Sequence, residues 1–184
     1  MQRYNPDIHH RRSIRLRDYD YSQDGLYFIS ICIKTRECLF GEIVDDEMIL
    51  NKNGEIVEKC WLDITQHYPD TVLHEFVVMP NHLHGIVEIT APVGAQNFVP
   101  LQTPTDRNAP PLPRRNEFQK IIPRSIGAIV RGFKIGTTKQ LGYSVWQRNY
   151  YEHIIRDGNS YQIISDYILN NPKKWQTDKF YTNI

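Results

Sequence analysis

Residues 76–88 decide the fold of this chain, and they read Phe-Val-Val-Met-Pro-Asn-His-Leu-His-Gly-Ile-Val-Glu. Branched apolar residues dominate both halves of the stretch, and the intervening Pro80-Asn81 has turn chemistry, so a tight antiparallel strand pair is predicted. Because side chains alternate between the two faces of a strand, His82 and His84 are expected on one face. They can share one metal ion there. A bare His-x-His pair is more often a turn residue beside a hydrogen-bonded core histidine, so the rest of the sequence must decide between the two explanations.

The composition indicates one globular domain. The chain has 184 residues, of which 40% are hydrophobic, and this suits a single sizeable core. No apolar run approaches the roughly 20 residues that a membrane span needs, and the amino terminus lacks a hydrophobic signal segment. A cytoplasmic protein without a membrane partner is therefore expected. Cys32, Cys38 and Cys60 have no Cys-x-x-Cys spacing, so reduced and mostly buried thiols are predicted.

The formal net charge of +1 conceals an uneven charge distribution. Residues 37–70 carry nine acids against two lysines, whereas residues 107–140 carry eight bases against one acid. The first 17 residues add five arginines, among them Arg11, Arg12 and Arg15. Two basic segments beside a possible metal site suit a polyanionic partner such as nucleic acid, although charge blocks are commonly just solvated faces.

The order of predicted elements is strand, helix, strand, strand, helix, strand and a final helix. This order is compatible with an α+β split βαβ sandwich, an antiparallel sheet with two helices on one face. The predicted domain spans 25–176, with a basic arm at 1–24, a proline-rich mobile loop at 91–118 and a tail at 177–184. Within the domain we expect strands at 26–34, 72–79, 83–89 and 145–155, a small hairpin at 38–50, and helices at 49–68, from Pro123, and at 160–171.

The final predicted helix carries a tyrosine and an amide on its apolar face. Tyr167 and Asn171 share a stripe with Ile163, Ile164 and Ile168 at about 100° per residue. A buried amide without a partner costs about 1–3 kcal/mol, so Asn171 should hydrogen-bond or bind something. Because Pro172 follows directly, a simple asparagine cap at the end of the helix is an alternative explanation.

Together these two elements suggest a metal site with a nucleophile beside it. Two neutral imidazoles and an amide oxygen form a mixed nitrogen and oxygen shell that suits Mg²⁺ or Mn²⁺, with a phosphate oxygen as a further ligand. A nearby tyrosine hydroxyl can attack the phosphorus in line as a covalent nucleophile. Arg124, Arg131 and Lys134, on the solvent side of the second helix, are candidate phosphate contacts.

Four motifs, in this order, resemble a known family. Residues 79–84 (Met-Pro-Asn-His-Leu-His) resemble the His-hydrophobe-His motif of the HUH single-tyrosine transposases. The branch called REP-associated tyrosine transposases is similar to three further stretches: Pro-Arg-Ser-Ile-Gly-Ala-Ile-Val-Arg-Gly-Phe-Lys at 123–134, Trp-Gln-Arg-Asn-Tyr-Tyr-Glu-His-Ile-Ile-Arg-Asp at 146–157, and Tyr-Ile-Leu-Asn-Asn-Pro-Lys-Lys-Trp at 167–175. The resemblance spans about residues 11–175, apart from the proline-rich loop.

The resemblance implies a ferredoxin-like fold and a transposase that cleaves and joins single-stranded DNA bearing a hairpin, through a 5′-phosphotyrosine intermediate. By position, His82 and His84 correspond to the family's metal-binding pair, Asn171 to its third ligand and Tyr167 to its nucleophile. Insertion-sequence relatives usually have Gln where Asn171 stands. Arg148, within the third motif, joins the candidate DNA contacts, and the chain is expected to act as a monomer or a homodimer.

Other assignments remain open at this level. Tyr150 and Tyr151 are rival nucleophiles, but their strand-like context favours packing or base stacking. Glu88 has the parity of the histidines but lies too far along the strand to be a metal ligand, at about 3.3 Å per residue. His153 either orients a phosphate or is a core histidine, and the core position is favoured. Two other functions are compatible with the sequence: a non-catalytic single-stranded nucleic-acid-binding module, and a metal-dependent hydrolase that uses water.

Overall fold

A computed structural model describes residues 19–90 and 122–181. The candidate DNA contacts Arg11, Arg12 and Arg15 lie outside the described residues, as do the predicted loop at 91–118 and the last three residues of the tail. The elements are β1 (Gly25–Cys32), β2 (Gly41–Val44), β3 (Glu47–Leu50), α1 (Lys52–Leu62), α2 (Ile64–His67), β4 (Thr71–Met79), β5 (His82–Ile89), α3 (Ile126–Leu141), β6 (Tyr151–Ile155), α4 (Gly158–Leu169) and a 3₁₀ helix (Pro172–Thr177).

Four strands form an antiparallel sheet in the order β4-β5-β1-β6. The predicted turn at Pro80-Asn81 joins β4 to β5, because these two residues are all that separates the strands. β2 and β3 pair separately as the small hairpin that was predicted between 38 and 50. This strand order and the two covering helices confirm the α+β, ferredoxin-like split βαβ fold.

The main core lies on the sheet face that α1 and α3 cover. Alternate residues of β1 point to it, and Tyr27, Ile29 and Ile31 are fully buried there. Trp61 of α1 meets Phe133 of α3 edge to face, with ring centroids 5.4 Å apart. These contacts bury large apolar side chains from three elements, so they anchor both helices to the sheet.

The opposite face of the sheet is covered by α4. Phe28, Ile86, Ile155 and Ile168 form a second, smaller apolar cluster, with Tyr167 packed against it. The helix that carries Tyr167 therefore lies on the same face as the even-numbered residues of β5. The fold thus separates a large apolar core on one face from a smaller cluster on the other, beside the two histidines.

Two element boundaries differ from the prediction near the first helix. The predicted helix at 49–68 begins later, because Ile49 belongs to β3 and Asn51 caps α1 by accepting from the backbone N–H groups of Asn53 and Gly54. α1 ends at Leu62, and the short α2 continues to His67. The hairpin register that places Ile49 in a strand depends on tertiary pairing, which helical periodicity does not encode.

The predicted strand at 145–155 is also shorter. Trp146 makes only an isolated bridge to Ile33, and regular pairing starts at Tyr151. The ammonium of Lys134 donates to the carbonyls of Gln147, at 2.9 Å, and Asn149, at 3.1 Å. Carbonyls that accept from a lysine turn away from a strand partner, which explains why the segment before β6 is irregular.

The last helix starts and ends two residues earlier than predicted. Asp157 caps α4 by accepting from the backbone N–H of Ser160, and Asn170 is the residue at its carboxyl end. Asn171 instead directly precedes the 3₁₀ helix, so the explanation of Asn171 as the cap at the end of α4 is wrong. Ile163, expected in the apolar stripe, is 61% exposed, because Tyr161, Ile164 and Ile168 supply the packed face.

Two further expectations concern the described ranges as a whole. Across 19–90 and 122–181, no helix combines the length and the apolarity that crossing a bilayer requires. Cys32, Cys38 and Cys60 form no disulfide with one another in the described residues. Cys60 is buried, but Cys32 and Cys38 are partly exposed, so the expectation of mostly buried thiols is wrong.

Gly85, which follows the second histidine, tests how closely the sheet packs on α1. A Cβ added there would lie 2.4 Å from Cζ2 of Trp61 and 3.0 Å from Cβ of Phe76. We expect Gly85→Ala to lower the free energy of unfolding by about 1–3 kcal/mol, as overpacking does in well-filled cores. Urea denaturation measures it. Gly158→Ala is the matched control, because no atom lies within 4 Å of its Cβ position. Equal stability of the two variants would contradict this packing.

Candidate active site

The two histidines lie side by side on the sheet face that α4 covers. In the register of β5 with β1, His82 is opposite Cys32 and His84 is opposite Ser30. The imidazole centroids are 4.5 Å apart, and the side chains are 0% and 1% exposed. The strand alternation predicted from the sequence therefore places both rings together on one face, while Leu83 points into the main core.

Asn81 fixes the orientation and the tautomer of His82. Its amide nitrogen donates to the carbonyl of Phe180 at 2.8 Å and to that of Arg36 at 3.1 Å. The amide oxygen of Asn81 must then be the atom 2.8 Å from Nδ1 of His82, so Nδ1 carries the proton. The lone pair of His82 resides on Nε2, a buried atom without a hydrogen-bond partner. A histidine oriented through its other ring nitrogen is typical of metal ligands.

His84 is held from both ring nitrogens. Ser30 Oγ lies 2.6 Å from Nδ1, and the hydroxyl of Tyr167 lies 3.2 Å from Nε2. Phe28 stacks on the same imidazole at 5.4 Å between centroids. Ser30 therefore orients His84 through its Nδ1, as Asn81 orients His82. Tyr167 contacts Nε2, the nitrogen of His84 that faces the cleft.

Asn171 brings an amide to the same place. Its side chain is 1% exposed, its Oδ1 has no hydrogen-bond partner, and its Nδ2 lies 3.4 Å from Oδ2 of Asp178. An orphaned buried acceptor costs about 1–3 kcal/mol. Two buried electron pairs without partners, on His82 and on Asn171, are the chemical signature expected of a cation site, so the predicted residues fit a divalent metal.

Burial sets the protonation states in the site. Burial, with the nearby Lys179 ammonium adding to it, lowers the pKa of His82 to about 3. Burial and the neighbouring imidazole lower the pKa of His84 well below its ordinary value. Both rings are therefore neutral near pH 7, as metal ligands must be. Burial, reinforced by the Asp178 carboxylate, raises the pKa of Tyr167, so its phenol is protonated at rest.

Residues after the 3₁₀ helix complete the site, and sequence reasoning missed them. Asp178 offers an oxygen that lies, with one ligand nitrogen of each histidine, in a group whose atoms are all within 4.8 Å of one another. The Phe180 ring packs on His82 at 4.7 Å between centroids. Both residues lie in the segment 177–184 that was predicted to be a tail. No local periodicity marks these residues as part of a site.

A cleft of about 440 Å³ opens onto these groups. Its wall includes His84, Tyr167, Asn171 and Asp178, and two lysines, Lys174 and Lys179, lie on the rim that the 3₁₀ segment forms. The positive charge of these two ammonium groups, next to buried nitrogen and oxygen atoms that could bind a metal, suits a ligand that carries phosphate.

The predicted DNA contacts occupy different environments. Arg131 and Arg148 are exposed and line a groove of about 650 Å³ on the α3 side of the domain. Arg124 pairs with Asp70 at 2.9 Å. The expectation that Lys134 is open to solvent is wrong, because its ammonium donates to backbone carbonyls, and burial lowers its pKa to about 8.

The residues considered as alternative site residues lie in different environments. Tyr151 lines the cleft and is 48% exposed, whereas Tyr150 packs against the main core. Glu88 lies away from the histidine pair and accepts from His74 at 2.8 Å, in agreement with the expectation that it is no ligand. The preference for His153 as a core histidine is wrong, because its side chain is exposed on the edge strand β6.

A polar network attaches the helix of Tyr167 to the sheet. The Tyr161 hydroxyl donates to Oε2 of Glu75 at 2.8 Å and lies 3.1 Å from Nδ1 of His74, while Ser165 donates to the same carboxylate at 3.1 Å. A register shift in β4 lies between Leu73 and Phe76, where His74 and Glu75 contact α4. The network therefore holds α4, and with it Tyr167, on its own sheet.

Known proteins resemble the chain in sequence and in fold. An uncharacterized protein of Haemophilus influenzae is 48% identical over 186 residues, which cover 98% of each chain. Another protein of that organism, described as a "Putative REP-associated tyrosine transposase", is 24% identical over 156 residues, 84% of this chain and 74% of its own length. A REP-associated tyrosine transposase solved with a REP hairpin has the same fold, with a TM-score of 0.56 at 20% identity over 89% of this chain and 74% of its own. No protein-family model matches the chain.

The fold is shared first: the split βαβ sheet with a tyrosine-bearing helix on its second face matches the fold of that solved tyrosine transposase. In sequence the chain is similar to the relative described as a putative REP-associated tyrosine transposase, in agreement with the resemblance indicated by its four motifs. This relationship supports a transposase that processes DNA. The His82, His84 and Asp178 group could hold a metal ion.

The network under α4 makes a prediction about stability. Tyr161→Phe removes both contacts of the hydroxyl, and we expect it to lower the free energy of unfolding by about 1 kcal/mol, the usual net value of a partly exposed hydrogen bond. Chemical denaturation measures the change. Tyr143→Phe serves as the control, because Tyr143 is 49% exposed and its hydroxyl makes only one 3.5 Å contact. A loss no larger than that of the control would show that packing alone secures α4.

Proposed function

We propose that this protein is a metal-dependent strand transferase that cleaves and rejoins single-stranded DNA beside a hairpin through a covalent bond to Tyr167. One observation carries the proposal. Within a single chain, the Tyr167 hydroxyl lies 3.2 Å from the cleft-facing nitrogen of His84, next to the orphaned acceptors of His82 and Asn171. A nucleophile and a donor set for a divalent cation therefore share one cleft.

The ligands proposed for Mg²⁺ or Mn²⁺ are Nε2 of His82, Nε2 of His84 and Oδ1 of Asn171. Asn81 and Ser30 orient the two imidazoles from behind. When bound, the metal polarises a phosphate of the DNA and stabilises the charge that develops on its oxygens. Lys174 and Lys179 on the rim of the cleft are suited to hold the flanking phosphates.

In the proposed reaction the Tyr167 oxygen attacks the phosphorus in line. A bond forms between that oxygen and phosphorus, and the bond from phosphorus to the 3′ oxygen breaks. The phenol loses its proton and the departing 3′ oxygen gains one, so the products are a 5′-phosphotyrosine and a free 3′-hydroxyl. The ester keeps the energy of the original bond. A second 3′-hydroxyl can reverse the step on another strand without a nucleotide cofactor.

The proposed DNA surface includes more than the cleft. The fold neighbour was solved with a REP hairpin, and a hairpin-bearing single strand is the substrate we propose here. Arg131 and Arg148 remain proposed phosphate contacts, since both are exposed on the same groove. Arg11, Arg12 and Arg15 are proposed to add electrostatic attraction. Lys134 and Arg124 are less suited, since each is engaged within the protein.

The nucleophile is tested by substitution. With a hairpin-bearing oligonucleotide and Mn²⁺, the unmodified protein should give a covalent adduct on a denaturing gel, and Tyr167→Phe should abolish it, because phenylalanine has no oxygen to form the ester. EDTA should also abolish the adduct.

Tyr151→Phe is the matched control, since Tyr151 lines the same cleft without contacting a histidine nitrogen. It should retain the adduct. An adduct that survives in Tyr167→Phe would move the nucleophile elsewhere. If cleaved DNA with free 5′-phosphate ends appears without any adduct, water is the nucleophile. Metal-independent binding without cleavage would favour a non-catalytic binding module.

The same contacts support a tyrosine that acts on the histidines of its own chain. Ile168 is buried against Phe28 and Ile86 one residue after Tyr167, and the Glu75 network secures the preceding turns of α4. Exchange of α4 with a second molecule would break all of these contacts. We therefore propose that each chain carries a complete cleavage site.

A mixing experiment tests this arrangement. Equal amounts of His84→Ala and Tyr167→Phe proteins are combined after separate purification and assayed for the adduct. If each site uses its own tyrosine, the mixture stays inactive, because no chain has both groups. Each variant mixed with unmodified protein provides the control for interference. Recovery of the adduct in the mixture would instead require a tyrosine delivered between chains.

A further inference from the structure

We propose that Asp178 is a direct ligand of the divalent metal, so that the segment after the tyrosine helix closes the metal site. This inference rests on the proposed metal dependence, but it concerns a residue that the tyrosine chemistry does not require. It assigns to the segment after Pro172 a ligand that the His-hydrophobe-His motif and the tyrosine helix do not contain.

The chemistry of the donor set calls for a carboxylate. Mg²⁺ is a hard cation that is usually bound through one or two carboxylates together with substrate phosphates, and Mn²⁺ also favours oxygen ligands. His82, His84 and Asn171 supply two nitrogens and a neutral oxygen, with no charge to balance the ion. Asp178 is the carboxylate whose oxygen groups with the two histidine nitrogens in the described part of the chain.

The distances bring the three groups close to a common metal shell. The ligand atoms of His82, His84 and Asp178 all lie within 4.8 Å of one another. In an octahedral shell with bonds of about 2.1 Å, adjacent ligand atoms are about 3.0 Å apart and opposite ones about 4.2 Å apart. Binding of the metal would therefore draw the three side chains inward.

The hydrogen bonds of Asp178 leave one oxygen able to make that shift. Oδ1 accepts from the backbone N–H of Phe180 at 2.7 Å, which fixes the carboxylate relative to its own turn. Oδ2 has a long contact, 3.4 Å, with the amide nitrogen of Asn171, and the Tyr167 hydroxyl also donates to this carboxylate. The geometry thus holds the carboxylate by one oxygen and directs the other towards Asn171, whose own Oδ1 is an orphaned acceptor.

The same segment is coupled to the first histidine through Asn81. The amide of Asn81 donates to the Phe180 carbonyl while its oxygen orients His82, and the Phe180 ring covers His82. A metal bound by both His82 and Asp178 would join the sheet to the segment that follows the 3₁₀ helix. Metal binding should therefore slow backbone hydrogen exchange over residues 172–181.

The test measures metal affinity without DNA. Asp178→Asn keeps the shape of the side chain and removes its charge, and we expect calorimetry to show Mn²⁺ bound about 10–100-fold more weakly than by the unmodified protein, the range typical of perturbed metal shells. Asp166→Asn is the matched control, because Asp166 is exposed on α4 and its carboxylate accepts from Gln162. It should bind Mn²⁺ normally. Mn²⁺ should slow exchange over 172–181 in the control and not in Asp178→Asn.

A second variant separates ligation from folding. Asp178→Glu retains the charge on a longer side chain and should recover part of the lost affinity, which a merely structural aspartate would not predict. Unmodified affinity in both Asp178 variants would overturn the proposal while leaving the phosphotyrosine chemistry intact. Failure of the unmodified protein to bind Mn²⁺ would overturn this inference, and an adduct formed in EDTA would overturn the metal dependence of the proposed function.

Discussion

The register of β5 against its two neighbours is the constraint on which the site depends. It sets His84 opposite Ser30 in β1 and His82 opposite Cys32, so that both imidazoles face α4. A slip of one residue would exchange the faces, because side chains alternate strictly along a strand. Leu83 would then meet Tyr167 and the histidines would enter the apolar core. Burial of Leu83, Ile29 and Ile31 on the other face makes that slip costly, so the large core secures the small site.

The environment of His82 and His84 stabilises the neutral form of both imidazoles. A charged imidazole in this environment would lose its hydration and would lie near the Lys179 ammonium, and so the pKa values of both rings fall. The amide of Asn81 then decides which nitrogen of His82 holds the proton. The result is a lone pair in a buried position, a feature that lowers stability unless something binds to it.

Patterns of short range were predictable from the sequence, and contacts of long range were not. The turn at Pro80-Asn81, the shared face of His82 and His84, and the nearness of Tyr167 to Asn171 follow from local periods of two and 3.6 residues. Ser30 lies 54 residues from His84 in sequence, so only the sheet register brings it there. Asp178 reaches the site because the chain turns into a 3₁₀ helix after Asn171, and no periodicity encodes such a turn.

Errors in the prediction share this origin. Asn171 was compatible with a helix cap because Pro172 follows it, yet the helix ends one residue earlier, and Asn170 donates back to the carbonyl of Asp166. Lys134 was expected in solvent because it lies outside the apolar stripe of α3. Its long side chain instead reaches the irregular segment before β6, a partner that helical periodicity cannot locate.

The Tyr167 hydroxyl and the proposed metal compete for one lone pair, that of Nε2 of His84. Nε2 of His84 faces the Tyr167 hydroxyl, and the proposed metal would use the same nitrogen. The two contacts exclude each other, since Nδ1 is engaged with Ser30 and the ring has no third nitrogen. Occupation by the metal would therefore release the hydroxyl from His84 into the cleft, which Lys174 and Lys179 also line. Because Ile168 is buried against Phe28 and Ile86, a change of the Tyr167 side-chain rotamer, with the backbone of α4 unmoved, is the least costly route to that release.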